Sequence, residues 1–205
     1  MPVKIGRLKR LRTLTTFVVG KSTGSSIREL TELTNLQGKL CILNLQNVFD
    51  AMVAFRANLK ERKDLKELEL EWGDKDAHDS TKERDFICLS GCSYPSSLPP
   101  LGQLPVLQEL TIKSMKSVTT VGVEFYSCNG SSVFRPFQSL KKLKFDDMPE
   151  WEEWLPSPGG GNSLDFARLE KLILRKCSKL RGNLHNHLRS MKKLSCPVVR
   201  FCTKG

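Results

Sequence analysis

The sequence predicts an α/β solenoid: an irregular leucine-rich-repeat horseshoe with a parallel sheet on its concave side and helices, 3-10 turns and loops on its convex side. Two observations predict it. The spacing L-x-x-L-x-L-x-x-(C/N/M) recurs along the chain, and the segments between its copies carry helical periodicity or prolines. One copy cannot bury its apolar residues alone, so neighbouring copies must stack to form a core.

The repeat is clearest in the second half of the chain. Its regular copies are Leu107, Leu110, Ile112 and Met115; Leu140, Leu143, Phe145 and Met148; and Leu169, Leu172, Leu174 and Cys177. A degraded copy follows them, at Met191, Leu194, Cys196 and Val199. Four looser copies precede them, at Leu11 and Leu14; Leu40, Ile42 and Leu45; Leu65, Leu68 and Leu70; and Ile87, Leu89 and Cys92. Steps of roughly 19 to 33 residues indicate about seven or eight irregular repeats in one domain, residues 1–205.

Each copy contains one short strand. Alternate residues of the x-L-x-L-x core point to opposite faces, so the leucines stack inside and the residues between them face outward. The ninth residue turns the chain inward, and we expect Cys92 and Cys177 to be structural there. We therefore predict aligned parallel strands at Leu68–Leu70, Leu110–Ile112, Leu143–Phe145 and Leu172–Leu174.

The segments between the strands differ in predicted structure. Residues 51–63 predict a helix with Asp50 as its N-cap, and residues 156–163 predict a flexible loop, because the repeat resumes after them. A further helical spacing is found at Ile27, Leu30, Leu33 and Leu36. Prolines exclude a regular helix before Leu107 and indicate an extended or 3-10 turn, at Pro95, Pro99, Pro100 and Pro105.

Charge and cysteine content narrow the function. The net charge of +11 is uneven, with basic residues 1–63 and 166–205 around an acidic middle, residues 64–165. Such a distribution favours contact with partners or neighbouring domains of different charge over nucleic-acid binding along the whole chain. The chain has 7 scattered cysteines, no CxxC pair and no long apolar run, and its first residues lack the apolar stretch typical of a signal peptide. We expect reduced thiols, no metal, no membrane span and a cytoplasmic or nuclear location.

No catalytic or cofactor chemistry is expected. Gly20-Lys21-Ser22 resembles the end of a phosphate-binding loop, but such a loop needs a glycine where this chain has Thr15. The histidines are dispersed, at His78, His185 and His187. Adjacent Glu152 and Glu153 are expected to remain ionised on a loop. We expect Trp151 and Trp154 to pack a convex turn rather than to form a ligand platform.

Several strings resemble one family, the leucine-rich region of coiled-coil-type plant nucleotide-binding leucine-rich-repeat disease-resistance proteins. The resemblance covers about residues 4–194. The strings that carry it are Leu14-Thr15-Thr16-Phe17-Val18-Val19-Gly20; Leu98-Pro99-Pro100-Leu101-Gly102-Gln103-Leu104-Pro105; Gly122-Val123-Glu124-Phe125-Tyr126; Met148-Pro149-Glu150-Trp151-Glu152-Glu153-Trp154; and Arg175-Lys176-Cys177-Ser178-Lys179-Leu180-Arg181-Gly182. The resemblance implies innate immunity: recognition of a pathogen effector or a guarded host protein, and autoinhibition through contact with a nucleotide-binding domain.

The chain departs from that family in three ways. We expect no nucleotide-binding domain in it. The short step and polar character of residues 73–86 predict a missing repeat there, and residues 195–205 form an atypical tail without an evident cap. A truncated receptor fragment without function therefore remains an alternative.

The outward positions of the regular strands are the candidate binding face. They run from acidic to basic along the array and are Glu67, Glu69 and Glu71; Glu109, Thr111 and Lys113; Lys142, Lys144 and Asp146; and Lys171, Ile173 and Arg175. We expect a protein to bind there, with no small-molecule substrate. A less favoured alternative is nucleic-acid binding by basic residues near the end of the chain, which lack aromatic neighbours in sequence: Lys176, Lys179, Arg181, Lys192 and Lys193.

Overall fold

A computed structural model describes residues 4–20, 26–48, 64–72, 98–126, 135–157, 165–181 and 193–195. These ranges contain nine short strands: β1 (Thr16–Val18), β2 (Gly38–Leu43), β3 (Leu65–Glu71), β4 (Glu109–Lys113), β5 (Thr120–Val121), β6 (Lys142–Asp146), β7 (Glu153–Trp154), β8 (Lys171–Arg175) and β9 (Lys193–Ser195). Seven of them form one parallel sheet in the order β1-β2-β3-β4-β6-β8-β9. The predicted solenoid is confirmed.

Two rows of apolar side chains run beneath this sheet. From β3 to β8, successive Cα partners are Leu68, Leu110, Leu143 and Leu172 in one row and Leu70, Ile112, Phe145 and Leu174 in the other. Every one of these side chains is at most 2% exposed. The predicted strands therefore align on one sheet, and their leucines form a continuous core that no single copy could bury.

The first copy was assigned one residue out of register. In the structure Phe17 is the Cα partner of Ile42, and Phe17 and Val19 are buried. Leu11 and Leu14, the predicted core residues, are only partly buried against the core. Because side chains alternate along a strand, a shift of one residue exchanges its inner and outer faces, and the larger Phe17 takes the inner position.

The copy proposed at Ile87, Leu89 and Cys92 lies outside the described residues, as does the helix proposed for residues 51–63. Strand β3 is nevertheless hydrogen-bonded directly to β4.

A left-handed residue directly follows the strand in the Leu40 copy and in the three regular copies. Asn44, Ser114, Asp147 and Lys176 have φ values of 61°, 59°, 63° and 51°. Each precedes a buried ninth residue: Leu45, Met115, Met148 and Cys177. The thiol of Cys177 donates a hydrogen bond to the carbonyl of Arg175 at 3.2 Å. The inward turn at the ninth position and the structural role of Cys177 are thus confirmed, whereas Cys92 lies beyond the ranges described.

The convex side consists of short turns. Helix α1 spans only Glu29–Glu32, shorter than the apolar spacing suggested, although that spacing did identify the buried residues Ile27, Leu30, Leu33 and Leu36. The proline-rich stretch forms the expected 3-10 turn at Leu101–Gln103. Other 3-10 turns lie at Ile5–Arg7, Leu45–Asn47 and Val123–Phe125. Of the loop predicted at 156–163, only residues 156–157 are described.

Trp151 and Trp154 lie in an aromatic cluster beside a second, two-stranded parallel sheet of β5 and β7. The Trp151 indole N–H donates to the carbonyl of Glu153 at 2.8 Å. Tyr126 also belongs to the cluster. Its burial is the main cause that raises the pKa of its hydroxyl, and the charge of Asp165 raises it further. Ring contacts connect Phe125, Tyr126, Phe137, Phe145, Trp151, Trp154 and Phe166. The predicted role of the two tryptophans as anchors is confirmed.

Candidate functional site

The candidate residues occupy the outward positions of β3, β4, β6 and β8, and we call them the charged face. From Glu67 onward in β3, and throughout β4, β6 and β8, a buried residue alternates with a partly or fully exposed one. The parallel register arranges the exposed residues in three rows of Cα partners: Glu67, Glu109, Lys142 and Lys171; Glu69, Thr111, Lys144 and Ile173; and Glu71, Lys113, Asp146 and Arg175. The sheet thus brings all of them together on one surface.

Ion pairs between strands cross the acidic part of the charged face. The Lys113 ammonium on β4 contacts the Glu69 carboxylate on β3 and lies 3.8 Å from that of Glu71. Lys39 on β2 lies 3.7 Å from Glu69 on its other side. Glu69 is therefore held between cations from both neighbouring strands.

The pKa values of this cluster reflect its packing. Burial alone would raise the pKa of Glu69, but the hydrogen bond from Lys113 and the charges of Lys113, Lys39 and Lys144 lower it below its usual value. The hydrogen bond to Glu69 raises the pKa of Lys113, against the opposing effect of burial. Burial, followed by the charges of Glu69 and Glu71, raises the pKa of the Cys41 thiol. The arrangement favours a charged Glu69–Lys113 pair beside a protonated thiol.

Two further pairs connect to the basic part of the charged face. Lys142 on β6 donates a hydrogen bond to Glu109 on β4 at 2.8 Å. Lys144 lies 2.7 Å from Asp146, two residues further along the same strand. The carboxylates of β4 and β6 therefore have cationic partners within the face.

The part of this surface formed by β2 was not predicted from the sequence. Lys39 is exposed, and Cys41 and Leu43 are partly buried, on the side of β2 opposite buried Leu40 and Ile42. The alternation applied to the later copies would have identified them, because the Leu40 copy was already recognised. A shallow groove of about 240 Å³ extends from this strand to β6, lined by Lys39, Glu67, Glu69, Glu109, Thr111, Lys113, Lys142 and Lys144.

Of the described basic residues considered for nucleic-acid binding, Lys193 alone lies on a strand of the seven-stranded sheet, where it is the Cα partner of Lys171. Lys176 and Lys179 follow β8, and Lys179 pairs with Glu150 at 2.5 Å. The backbone N–H of Arg181 donates to the carbonyl of Glu152 at 2.9 Å. Lys192 lies outside the described ranges, and Lys193 begins β9.

Comparison with known proteins identifies the type of repeat. Residues 27–87 match the family model of R13L1/DRL21 leucine-rich repeats. The chain is 36% identical to putative disease resistance RPP13-like protein 1 of Arabidopsis thaliana, over 91% of the chain and 22% of that protein. The chain belongs to the leucine-rich-repeat family of plant disease-resistance proteins.

Other disease-resistance proteins also match most of the chain. A second putative disease resistance protein of Arabidopsis thaliana is 32% identical over 93% of the chain and 17% of its own length. Putative disease resistance protein RGA4 of Solanum bulbocastanum is 29% identical over 70% of the chain and 18% of its length. The chain spans about a fifth of the length of these curated relatives.

The alignments also bear on the length of this disease-resistance repeat array. Those with the two Arabidopsis relatives run over 238 and 239 residues, more than the 205 residues of the chain. Both relatives thus contain residues that this chain lacks. The position of that difference is not given by the alignment lengths, so a missing repeat near residues 73–86 stays a prediction.

Over the described ranges, no three His, Cys, Asp or Glu side chains are arranged to hold a metal ion. Within the same ranges, no helix is both long and apolar enough to cross a membrane.

Proposed function

We propose that this chain is a protein-interaction module of plant innate immunity whose charged face binds a pathogen effector, a guarded host protein or the nucleotide-binding domain of a parent receptor. The observation that supports the proposal is the alignment of charged side chains in three registered rows on the exposed side of the sheet. We propose that it acts in the cytoplasm or nucleus, by binding rather than by catalysis.

A rigid support favours binding by this surface. Beneath the charged face, Leu110, Leu143 and Leu172 are fully buried, and neighbouring strands stand about 4.8 Å apart. The backbone of such a sheet is already ordered, so it loses less conformational freedom on binding than the backbone of a flexible loop. The paired charges also restrict several of the lysine side chains before a partner arrives.

Electrostatics supports a role in orientation. Carboxylates are concentrated on β3 and cations on β6 and β8, so a partner of complementary charge would meet the surface in one preferred direction. Complementary charge accelerates encounter and fixes orientation more than it adds affinity. The carboxylates of Glu67, Glu69 and Glu71 disfavour a nucleic-acid backbone across the same surface.

A segment exchange tests the proposal. The matching segment of RPP13-like protein 1 would be replaced by the full chain, and cell death would be measured in leaves with protein levels matched. We expect the exchanged receptor to cause no cell death until it is triggered. Reversal of four basic residues of the charged face to Glu should change basal or triggered cell death: Lys142, Lys144, Lys171 and Arg175.

A control variant distinguishes an effect specific to the charged face from a general effect of charge reversal. Four basic residues outside it, all exposed or partly exposed, would be reversed together: Arg135, Arg168, Lys176 and Lys179. If both variants behave alike, the assignment of the binding face is wrong. If the exchanged receptor behaves as one in which the segment is deleted, the alternative of a non-functional fragment is favoured.

A further inference from the structure

Ile173 is the one apolar residue among the outward positions of β3, β4, β6 and β8. Its side chain is only partly buried. Lys171 and Arg175 flank it along β8, and its Cα partners are Lys144 on β6 and Ser195 on β9. An isoleucine left partly exposed beside three cations gains less from folding than a fully buried one, because part of its apolar surface stays in contact with water.

The cations beside Ile173 also differ from the others on the charged face. Lys39, Lys113, Lys142 and Lys144 each contact a carboxylate. Across the described part of the chain, Lys171 and Arg175 form no such ion pair. The acidic half of the face is thus largely neutralised internally, whereas β8 presents two cations that remain available to a partner.

We propose that the strip formed by Lys171, Ile173 and Arg175, which we call the β8 strip, binds an acidic protein segment through one apolar side chain seated on Ile173. The inference rests on the proposed function and narrows it: the partner needs an acidic segment, not a surface of two opposite charges. A basic partner segment on β3 would have to displace Lys113 and Lys39 from Glu69, whereas an acidic one meets no competitor at Lys171 or Arg175.

The spacing of the strip defines the segment. Lys171, Ile173 and Arg175 alternate along one strand, so their Cα atoms are about 6.7 Å apart. An extended segment with acid, apolar and acid residues at alternate positions has the same spacing. A nucleic-acid strand could use the two cations but would gain nothing specific from an isoleucine between them, so Ile173 favours a protein.

A peptide-binding measurement tests the β8 strip with the full chain. The probe is a fluorescent synthetic peptide with the central sequence Glu-Ser-Leu-Ser-Glu, and its matched control replaces the leucine with serine. Fluorescence anisotropy should show binding of the leucine peptide at least about tenfold tighter than of the serine peptide, the difference expected when an aliphatic side chain is buried. Equal affinity for the two peptides, or no binding of either, would overturn the proposal.

Two variants identify the residues involved. Ile173→Thr keeps a branched side chain suited to a strand and should abolish the preference for the leucine peptide. Replacement of Lys171 and Arg175 by Ser should weaken binding of both peptides, whereas the same change at exposed Arg135 and Arg168 should leave it unaltered. Circular dichroism checks that each variant folds. An equal loss in the control variant would show non-specific charge attraction and contradict the proposal.

A third probe distinguishes a protein ligand from a nucleic-acid ligand. The exchanged receptor distinguishes failure of this inference from failure of the proposed function. A single-stranded oligothymidylate should compete with the leucine peptide much more weakly than unlabelled leucine peptide does, because it can use only the two cations. Competition as strong as that of the unlabelled leucine peptide would overturn the proposal. If neither peptide binds but reversal of the four basic residues still alters cell death, only the acidic-segment inference is wrong. If peptides bind but cell death is unchanged, the immune role of the face is wrong.

Discussion

The Tyr126 hydroxyl accepts a hydrogen bond from the indole N–H of Trp154 at 2.9 Å and donates one to the carbonyl of Leu155 at 3.0 Å. Tyr126 lies before the copy at Leu140, whereas Trp154 and Leu155 lie after it. One buried oxygen therefore connects the segments on both sides of a repeat.

Tyr126→Phe should test this connection. The substitution keeps the ring in the aromatic cluster but leaves the Leu155 carbonyl and the partly buried Trp154 N–H without this partner. We expect the free energy of unfolding to fall by about 1–3 kcal/mol, measured by urea denaturation. Val123→Ala, at an exposed residue of the same segment, should change it little. A neutral effect of Tyr126→Phe would contradict the proposed connection.

Leu143→Ala should destabilise the centre of the stacked core. Leu143 is fully buried and is the Cα partner of Leu110 and Leu172. Removing its side chain leaves a cavity between two repeats, and the free energy of unfolding should fall by about 2–5 kcal/mol. Denaturant unfolding measures the loss, with exposed Glu152→Ala as the control. Similar midpoints for the two variants would show that the leucine register is wrong.

Gly102→Ala should destabilise the 3-10 turn at Leu101–Gln103 by crowding. A Cβ atom at this position would lie 2.4 Å from the Tyr126 carbonyl oxygen and 2.9 Å from its Cα. Both are backbone atoms that cannot rotate away, so the turn must shift, at a cost of about 1–3 kcal/mol. Thermal unfolding measures this cost. An unchanged melting temperature would mean that the two segments are not packed this closely.

Glu69→Gln should alter the dependence of stability on pH. Because the folded protein lowers the pKa of Glu69 from its usual 4.5, the carboxylate stabilises the fold above that value. This stabilisation is lost as the pH falls through the lowered pKa. The wild-type chain should therefore lose more stability than Glu69→Gln between pH 5 and acidic pH, by up to about 1 kcal/mol at this partly exposed site. Urea unfolding at several pH values tests it, and parallel curves would contradict the Glu69–Lys113 pairing.

The leucine rows were predictable from the sequence because side chains alternate along a strand and each row repeats at the same position of the copy. That alternation also identified the outward residues of β3, β4, β6 and β8. It failed at β1, where Leu11 and Leu14 have the expected spacing but the larger Phe17 occupies the core. Local spacing cannot distinguish two registers when both place apolar residues in the same segment.

The ion pairs of the charged face were beyond prediction for a different reason. Lys113 could contact carboxylates of β3, of β6 or of its own strand, and only the packed side-chain conformations select Glu69 and Glu71. Which cations remain available, Lys171 and Arg175, depends on all of these choices at once. The available charge is therefore a property of the assembled sheet and not of any single copy.

The direct pairing of β3 with β4 has a consequence for how such surfaces diversify. Residues 72–108 separate the two strands along the chain, yet the backbone ladder closes between them as it does between closer neighbours. A unit gained or lost at this position would leave the ladder intact while changing which side chains stand next to each other. Recombination between whole units can thus produce a new pattern of charge in one step, without any point substitution and without rebuilding the scaffold.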